Sequence, residues 1–463
     1  MTENGLTINL KHMPNINFKF ERFNLIPDAP FMQSVYSGTN GIGNCLDHND
    51  IGTAGNNNRF RFSQVLDSIF RFDQRNPTDT VKPIPMHIDT PTDHYIIGVG
   101  VSDCPEDWTG MDGNGQVVNT PSVFDALNKQ YIEDLRCGKA LLIIDQSLEG
   151  YSKVWLWKWL HDKCDALSIP PQSLIYTTGD QSCAEQYNRW YADTYQNHSR
   201  IKVIPSIALS IHIYDFYKSH NFNIKFDDVL EHKRNNDITL YDCTNLKFRP
   251  HRLINFLHLL NAGLLDQGKV SMDSFSKWPM LPRDTLDKYK LPKDTLQLVA
   301  QPGITPRWVS GTPDTVSGGY AMFITRIMKD MYLNTWVSVV TESSYFDYEH
   351  SIFISEKTFK PIACLQPFII VGSKGTLKYL RKLGYKTFDG FIDESYDNCD
   401  DDHRMAAIIT AIKKIQAIPD KAAWYESMRD ILEHNQKMLL DIETKKSIEH
   451  EELIKYYANY FKE

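Results

Sequence analysis

Residues 337–388 read VSVVTESSYFDYEHSIFISEKTFKPIACLQPFIIVGSKGTLKYLRKLGYKTF, and the alternation within this stretch decides the fold. A β-rich run, residues 336–340, ends in the polar cluster Thr341, Glu342, Ser343 and Ser344, and a loop follows. Ser355 then stands at the N-cap position before Glu356 and Lys357, where its hydroxyl can accept from a first-turn amide. Pro361 inside the helix that follows predicts a kink or an early stop, because proline lacks an N–H and crowds the preceding turn. Pro367 opens a second apolar run, residues 368–371, which ends at Gly372. Gly375 opens another helix, residues 376–383, closed by Gly384. Strand, loop, helix, strand, loop, helix is the order of a parallel sheet with crossover helices. Ligands of such sheets bind beyond the carboxyl ends of the strands. Residues 341–344, 355–357 and 372–375 all fall at that edge.

The charges there have a chemistry. Free N–H groups and the positive end of the helix dipole favour an anion at a helix start. Lys357 adds a full charge for a phosphate, and Glu356 suits the hydroxyls of a sugar or a ribose. A solvated helix start carries the same two residues, so spacing alone leaves both readings standing.

The order VTESS (340–344) then ISEKTFKPIACLQPFIIVG (354–372) resembles the donor-binding half of GT-B glycosyltransferases. In particular it is similar to the α1,3-fucosyltransferase family, whose order runs ENS, TEK, a small residue, P(V/I) and G. The segment YDCTNLKFRPHR (241–252) resembles that family's SNC…R segment. The resemblance covers roughly the second half of the chain. It departs at Asp242, which stands at the Asn-like position, at Ser343, which replaces Asn, and at the helix pair Ala363 and Cys364. These departures leave the sugar open. The style of SEKTFKPI also looks like phage-encoded sugar transferases, some of which decorate modified DNA bases.

The resemblance implies an α/β chain of two Rossmann-like domains facing one cleft, the GT-B architecture, with C-terminal helices. It implies metal-independent, inverting transfer of a sugar from a nucleotide-sugar donor to a hydroxyl acceptor. Carried onto this sequence, the donor-binding residues are Arg249, Arg252, Glu342, Ser343, Ser355, Glu356, Lys357, Lys360 and Gly372. Of the two arginines, Arg249 is the first choice for the diphosphate and Arg252 the second. No cofactor is implied, since the nucleotide sugar is a substrate. The acceptor is a glycan or a hydroxymethylated base of phage DNA, and the location is cytoplasmic, the host cytoplasm for a phage-encoded protein. A protein that holds a nucleotide or sugar on the same scaffold without turnover is the alternative from another class.

The bounds agree with an ordinary globular protein. The chain has 463 residues, 42% hydrophobic and 23% charged, enough for two or three domains. Its net charge of -8 has the wrong sign for a chain that mainly clamps a nucleic-acid backbone, although a local basic groove stays open. The eight cysteines show no C-x-x-C and no ligand-like histidine spacing, which reads as a reducing compartment without structural zinc. Residues 1–20 are too polar for a signal peptide, and no apolar run approaches a membrane span.

Upstream, residues 38–58 (GTNGIGNCLDHNDIGTAGNNN) read as a loop. From Tyr95 a regular α/β rhythm begins, with strands at 95–101, 140–144, 173–177 and 201–204 and helices at 122–137, 153–165 and 181–195. Asp103, Asp145 and Asp180 terminate successive strands, and Glu149 follows Asp145 closely. A carboxylate at these ends, facing the donor domain, suits a general base for the acceptor hydroxyl, while an Asp at a strand end also caps turns by accepting backbone N–H groups. Asp145 and Glu149 are the preferred pair, with Asp180 as runner-up. HKRNND (232–237) reads as a linker, which divides the chain into an acceptor-side domain, 1–235, a nucleotide-sugar domain, 236–440, and a terminal helix, 441–463. Residues 302–320 read as a loop suited to a lid, and 320–331 as an amphipathic helix. Asp400, Asp401 and Asp402 resemble a metal-binding D-x-D but sit at a helix start, where acids belong, so no metal ligand set is assigned.

Overall fold

The structure is a computed structural model. It describes strand fragments at 18–19, 60–61, 95–101, 108–111 and 117–120. Beyond these it describes residues 122–245, 249–271, 285–292 and 326–441, with breaks at 128, 151–153, 196–198 and 348–349, and residues 452–453, 456 and 459–460. The loop expected at 38–58, the strand-end acid Asp103 and the lid expected at 302–320 lie outside the described residues.

Two parallel sheets organise the chain. The first contains β1 (Phe18–Lys19), β3 (Tyr95–Val101), β6 (Ala140–Gln146), β7 (Leu174–Thr178) and β8 (Lys202–Pro205) in that spatial order, all parallel. β2 (Phe60–Arg61) adds an antiparallel edge to β3. A separate hairpin pairs β4 (Trp108–Met111) with β5 (Val117–Thr120). The second sheet runs β10 (Gly268–Val270), β9 (Thr239–Cys243), β11 (Thr335–Thr341), β12 (Phe368–Val371), again all parallel. β6, β7, β11 and β12 are buried at every position. Continuous apolar runs of this kind are what a sheet covered on both faces requires, and helices alternate with the strands to provide the cover. The chain is therefore an α/β protein built on two Rossmann-like sheets.

The helices expected at 153–165 and 181–195 are Val154–Leu167 and Cys183–Thr194. The one expected over 122–137 is two. Ser122 caps Val123–Ala126 through a capping box with Asp125, and the chain turns extended at Leu127 before Lys129–Arg136. Arg326 to Met328 are not helical, and the described helix in the region expected at 320–331 is Lys329–Leu333.

HKRNND is not a linker. His232, Lys233 and Arg234 form the last turn of the Phe226–Asn235 helix. Lys233 turns inward, 2% exposed, and donates to the carbonyls of Tyr332 at 3.1 Å and Thr335, and to Gln366 Oε1 at 3.1 Å. Its ammonium also lies over the rings of Trp336 and Tyr425 at 5.5 and 5.2 Å. Burial pushes the Lys233 amine down to about 7 against the pull of Asp242, whose own carboxyl burial raises to about 6. Ile213, Tyr217, Phe226, Val229 and Leu230 join the same apolar cluster as Leu240, Val337 and Ile369 of the second sheet. The helices Ala208–Ser219 and Phe226–Asn235 thus pack with the second sheet, and residue 235 is not a break in packing. At the far end, Glu452 pairs with Lys202 at 3.0 Å and Tyr456 Oη donates to Gln172 O at 2.6 Å, so these terminal residues lie on the first sheet's side.

Candidate active site

Two of the helix starts at the carboxyl edge of the second sheet carry the expected donor-binding residues. β9 leads to Pro250–Asn261, with Arg249 in the extended N-cap position and Pro250 in the first turn, where its missing amide leaves nothing unsatisfied. β11 leads to Glu356–Ala363. Ser355 caps it, its hydroxyl accepting from Lys357 N at 3.3 Å, and the helix ends two residues after Pro361, at Ala363.

Glu342, the residue after β11, organises this second start. Its buried carboxylate accepts from Ser355 N at 3.0 Å, Ser355 Oγ at 2.5 Å and Thr358 Oγ1 at 2.6 Å. Glu342 therefore holds the helix start in place. Lys357 Nζ donates to Ser355 Oγ at 2.9 Å and lies 3.1 Å from Glu356 Oε1, while its side chain stays partly exposed. Gly372 packs against Glu342: a Cβ on Gly372 would stand 3.4 Å from Glu342 Cβ and 3.0 Å from Ile370 Cγ2. Ser343 is half-buried on the same edge.

Positive charge gathers here. His251 is buried, its Nε2 bonds to Glu342 O at 2.9 Å and its ring stacks on Tyr345. Burial pushes His251 well below the usual imidazole range, and Arg252, Arg249 and Lys357 push it further, so it is neutral near pH 7. Arg252 is buried and donates from Nη2 to Thr341 O at 3.3 Å. Burial and the neighbouring Arg249 lower its guanidinium to about 10. Burial lowers the Lys360 amine to about 8, against the pull of Glu356. Burial pushes the Glu356 carboxyl upward, but Lys357 and Lys360 outweigh it and hold Glu356 below the ordinary range. Arg249 is exposed. The starts of two helices thus bring Arg249, Arg252 and Lys357 together, a field that attracts an anion.

The third helix start on this edge is already occupied. The Asp397 carboxylate accepts from Leu377 N and Lys378 N at 3.1 and 3.4 Å, at the beginning of Thr376–Lys382. Arg404 ties the loops together. It is 1% exposed and donates to Tyr345 O at 2.7 Å, Gly372 O at 3.0 Å and Cys399 O, and it pairs with Asp347. His251, Asp397 and Arg404 were not singled out from sequence. Arg404 has a visible signal, a charge inside the apolar stripe of Asp401–Gln416. Of the three acids before that helix, Asp400 pairs with Lys374 at 2.7 Å, Asp401 with Lys288 at 3.1 Å and Asp402 with His403 at 2.8 Å. Among the described residues, no group of three or more His, Cys, Asp or Glu is placed to hold a metal ion.

On the first sheet, the three described candidate acids, Asp145, Asp180 and Glu149, differ sharply. Asp145, 2% exposed, accepts from Ser147 N and Thr177 Oγ1, both at 2.9 Å, and so holds the turn after β6. Asp180 is fully buried. Its Oδ1 accepts from Ser182 N at 2.9 Å, Ser182 Oγ at 2.7 Å and, across the two sheets, Ile352 N at 2.9 Å. Glu149 is exposed on the turn itself, whose backbone is fixed by Gly179 N and Thr178 Oγ1 donating to Glu149 O at 2.9 Å each. Structure thus separates Glu149, which is exposed, from Asp145 and Asp180, which are buried and hold backbone.

The two carboxyl edges meet through the segment before Ser355. Asp180 and Phe353 form an antiparallel bridge, Gln181 N donates to Ile352 O at 2.8 Å, and Ser351 Oγ donates to Gly150 O at 2.8 Å. Further out, Glu185 accepts from Tyr379 Oη at 2.9 Å and pairs with Lys382. The turn carrying Glu149 is therefore joined at Gly150 to Ser351, four residues before Ser355, the cap of the Glu356–Ala363 helix. Four residues of chain span at most about 14 Å.

No protein-family model and no curated protein matches the chain. Among solved structures it is similar to a UDP-forming α,α-trehalose-phosphate synthase from Burkholderia xenovorans, at 9% identity and a TM-score of 0.35, covering 77% of this chain and 94% of that one. A TM-score that low adds nothing to the sheet topology already described. No helix among the described residues is long and apolar enough to cross a membrane.

Proposed function

We propose that this chain is a glycosyltransferase that moves a sugar from a nucleotide-sugar donor to a hydroxyl acceptor, and that the donor's diphosphate lies over the starts of Pro250–Asn261 and Glu356–Ala363. The observation that carries the reading is the gathering of Arg249, Arg252 and Lys357 around neutral His251 at the carboxyl edge of the second sheet. Such an edge is where ligands of parallel sheets bind, and the resemblance to the fucosyltransferases assigns the same residues to a donor. Glu356, held ionised beside Lys357, suits the hydroxyls of the sugar or the ribose.

In this reading the acceptor oxygen attacks the anomeric carbon while Glu149 takes its proton. The bond from that carbon to the diphosphate oxygen breaks, and the nucleoside diphosphate leaves with its electron pair. Fixed cations stabilise the charge that grows on that oxygen, which is the electrostatic part of the catalysis. The base belongs to the first sheet and the leaving group to the second. A single displacement between opposite faces inverts the anomeric carbon. Because the protein's own cations neutralise the leaving group, we take the reaction to need no divalent ion. The acceptor is a glycan or a hydroxymethylated DNA base, and a net charge of -8 weighs against tight, nonspecific duplex binding.

A panel of nucleoside diphosphates tests the donor half. At least one should raise Tm, by RT ln(1 + [L]/Kd) in stability, and the rise should be the same in EDTA as in Mn²⁺. No shift from any nucleoside diphosphate, or a shift seen only with Mn²⁺, would remove this reading and return Asp400–Asp402 to consideration.

A further inference from the structure

We infer that the turns after the first sheet's strands, at Gly150, Gly179 and Asp180, are the seat that positions the donor-phosphate helix, so that Asp180 is a positioning residue for a site on the other sheet. The inference rests on the proposed donor reading for its functional consequence, and on geometry alone for the seat itself.

The seat is built from backbone and one carboxylate. Asp180 Oδ1 and Gln181 N grip Ile352 by its N–H and C=O, at 2.9 and 2.8 Å. Ser351 Oγ holds Gly150 O at 2.8 Å, and Gln186 Nε2 donates to His350 O. Phe353, 6% exposed, then packs against two glycines. A Cβ on Gly150 would stand 2.4 Å from Phe353 Cβ and Cγ, and one on Gly179 would stand 2.5 Å from Phe353 Cε2. Side chains do not approach that closely, so both positions need glycine for the close approach of the ring. From this grip the chain runs through Ile354, 3% exposed, to Ser355, where Glu342 takes both the amide and the hydroxyl. The first turn bearing Glu356 and Lys357 is therefore fixed at two ends, by Glu342 of its own sheet and by Asp180 of the other. Among the described polar groups that hold this segment, Asp180 combines a fully buried carboxylate with bonds both to the helix cap after β7 and to Ile352.

The chemistry separates this role from general-base work. An amide at position 180 keeps one acceptor oxygen where Ser182 N, Ser182 Oγ and Ile352 N converge. It gives up the long 3.4 Å contact of Oδ2 with Gln186 Nε2, which has Ser182 Oγ and His350 O as further acceptors, and it does not take up a proton at neutral pH. Asp180→Asn should therefore behave nearly as the unsubstituted protein. Asp180→Ala removes the acceptor, and Gly150→Ala pushes Phe353 away without touching any phosphate-binding residue.

The experiment is hydrogen exchange on the full chain, with inorganic pyrophosphate and a nucleoside diphosphate as binding probes in calorimetry. In Asp180→Ala and in Gly150→Ala, the amides of Ile352, Ser355 and Lys357 should exchange at least about tenfold faster, while those of β11 and β12 keep their protection. Diphosphate affinity should fall about tenfold in both, the scale of misplacing one charge-assisted contact, and stay within about twofold in Asp180→Asn. Unchanged exchange at 352–357 in both variants overturns the inference whether or not any ligand binds. Faster exchange in a protein that binds no diphosphate at all leaves the seat standing and removes only the donor reading. Should Asp180→Ala not fold, Gly150→Ala decides alone. Equal loss of turnover in Asp180→Asn and Asp180→Ala, at unchanged diphosphate affinity, would replace the positioning role by a proton-transfer role.

Discussion

Glu149→Gln should bind the donor as the unsubstituted protein does and turn over about 10²–10⁴-fold more slowly, the range for loss of a positioned general base. The donor rests on the second sheet, so an uncharged side chain on the first sheet's turn leaves its phosphates undisturbed. The acceptor hydroxyl ionises far above neutral pH, and its proton must leave as the bond to the anomeric carbon forms. Of the described acids at the first sheet's carboxyl edge, Asp145, Glu149 and Asp180, Glu149 is the exposed one. Asp145→Asn retains the acceptor that Ser147 N and Thr177 Oγ1 share, Oδ1, and should cost far less turnover. The measurement is kcat beside donor affinity for the two variants. Full turnover in Glu149→Gln, with a large loss in Asp145→Asn, would move the base into the strand end.

Lys357→Ala should weaken binding of the nucleoside diphosphate by about 1.5–3 kcal/mol, the range for a hydrogen bond to a charged group, or roughly ten- to hundredfold in Kd. The helix start itself should survive, because Ser355 and Glu342 hold it through groups other than the Lys357 amine. Arg249→Ala, at an exposed position, belongs at the lower end of that range because water screens its charge. Calorimetry on the two single variants reads both values. Unchanged affinity in both would detach the diphosphate from these helix starts.

What was legible in the sequence and what was not divides along one physical line. Strands buried on both faces write themselves as apolar runs, so β6, β7, β11 and β12 appear in the sequence within a residue or two of where they lie. The helix start at Ser355 is local chemistry too, since a capping serine and the residues it serves are neighbours in the chain. Side-chain partners far along the chain leave no such trace. Lys233 looks like one more charge in a solvated run, and its burial is decided by carbonyls about a hundred residues away, at Tyr332 and Thr335. Asp180 lies near a strand end as Asp145 does, and its bond to Ile352 and bridge to Phe353 set it apart. Glu342 carries the family-like motif position, yet its carboxylate serves Ser355 and Thr358, a role that spacing does not distinguish from contact with a sugar. The helix expected over 122–137 broke because Leu127 adopts extended backbone after a four-residue capped turn, where no glycine or proline marks the interruption.

The claim at the centre of this account is transfer, and one measurement addresses it without intermediaries. The protein is incubated with a panel of nucleotide sugars and two acceptor classes, oligosaccharides and an oligonucleotide bearing hydroxymethylated bases, and both products are followed by mass spectrometry. One acceptor should gain the mass of a single sugar residue, with one nucleoside diphosphate released for each sugar gained, and both products should be lost together in Glu149→Gln. A nucleotide sugar that binds at the Lys357 site and is recovered intact, with no acceptor of either class changed in mass, would contradict it and leave a binding protein on the same two sheets.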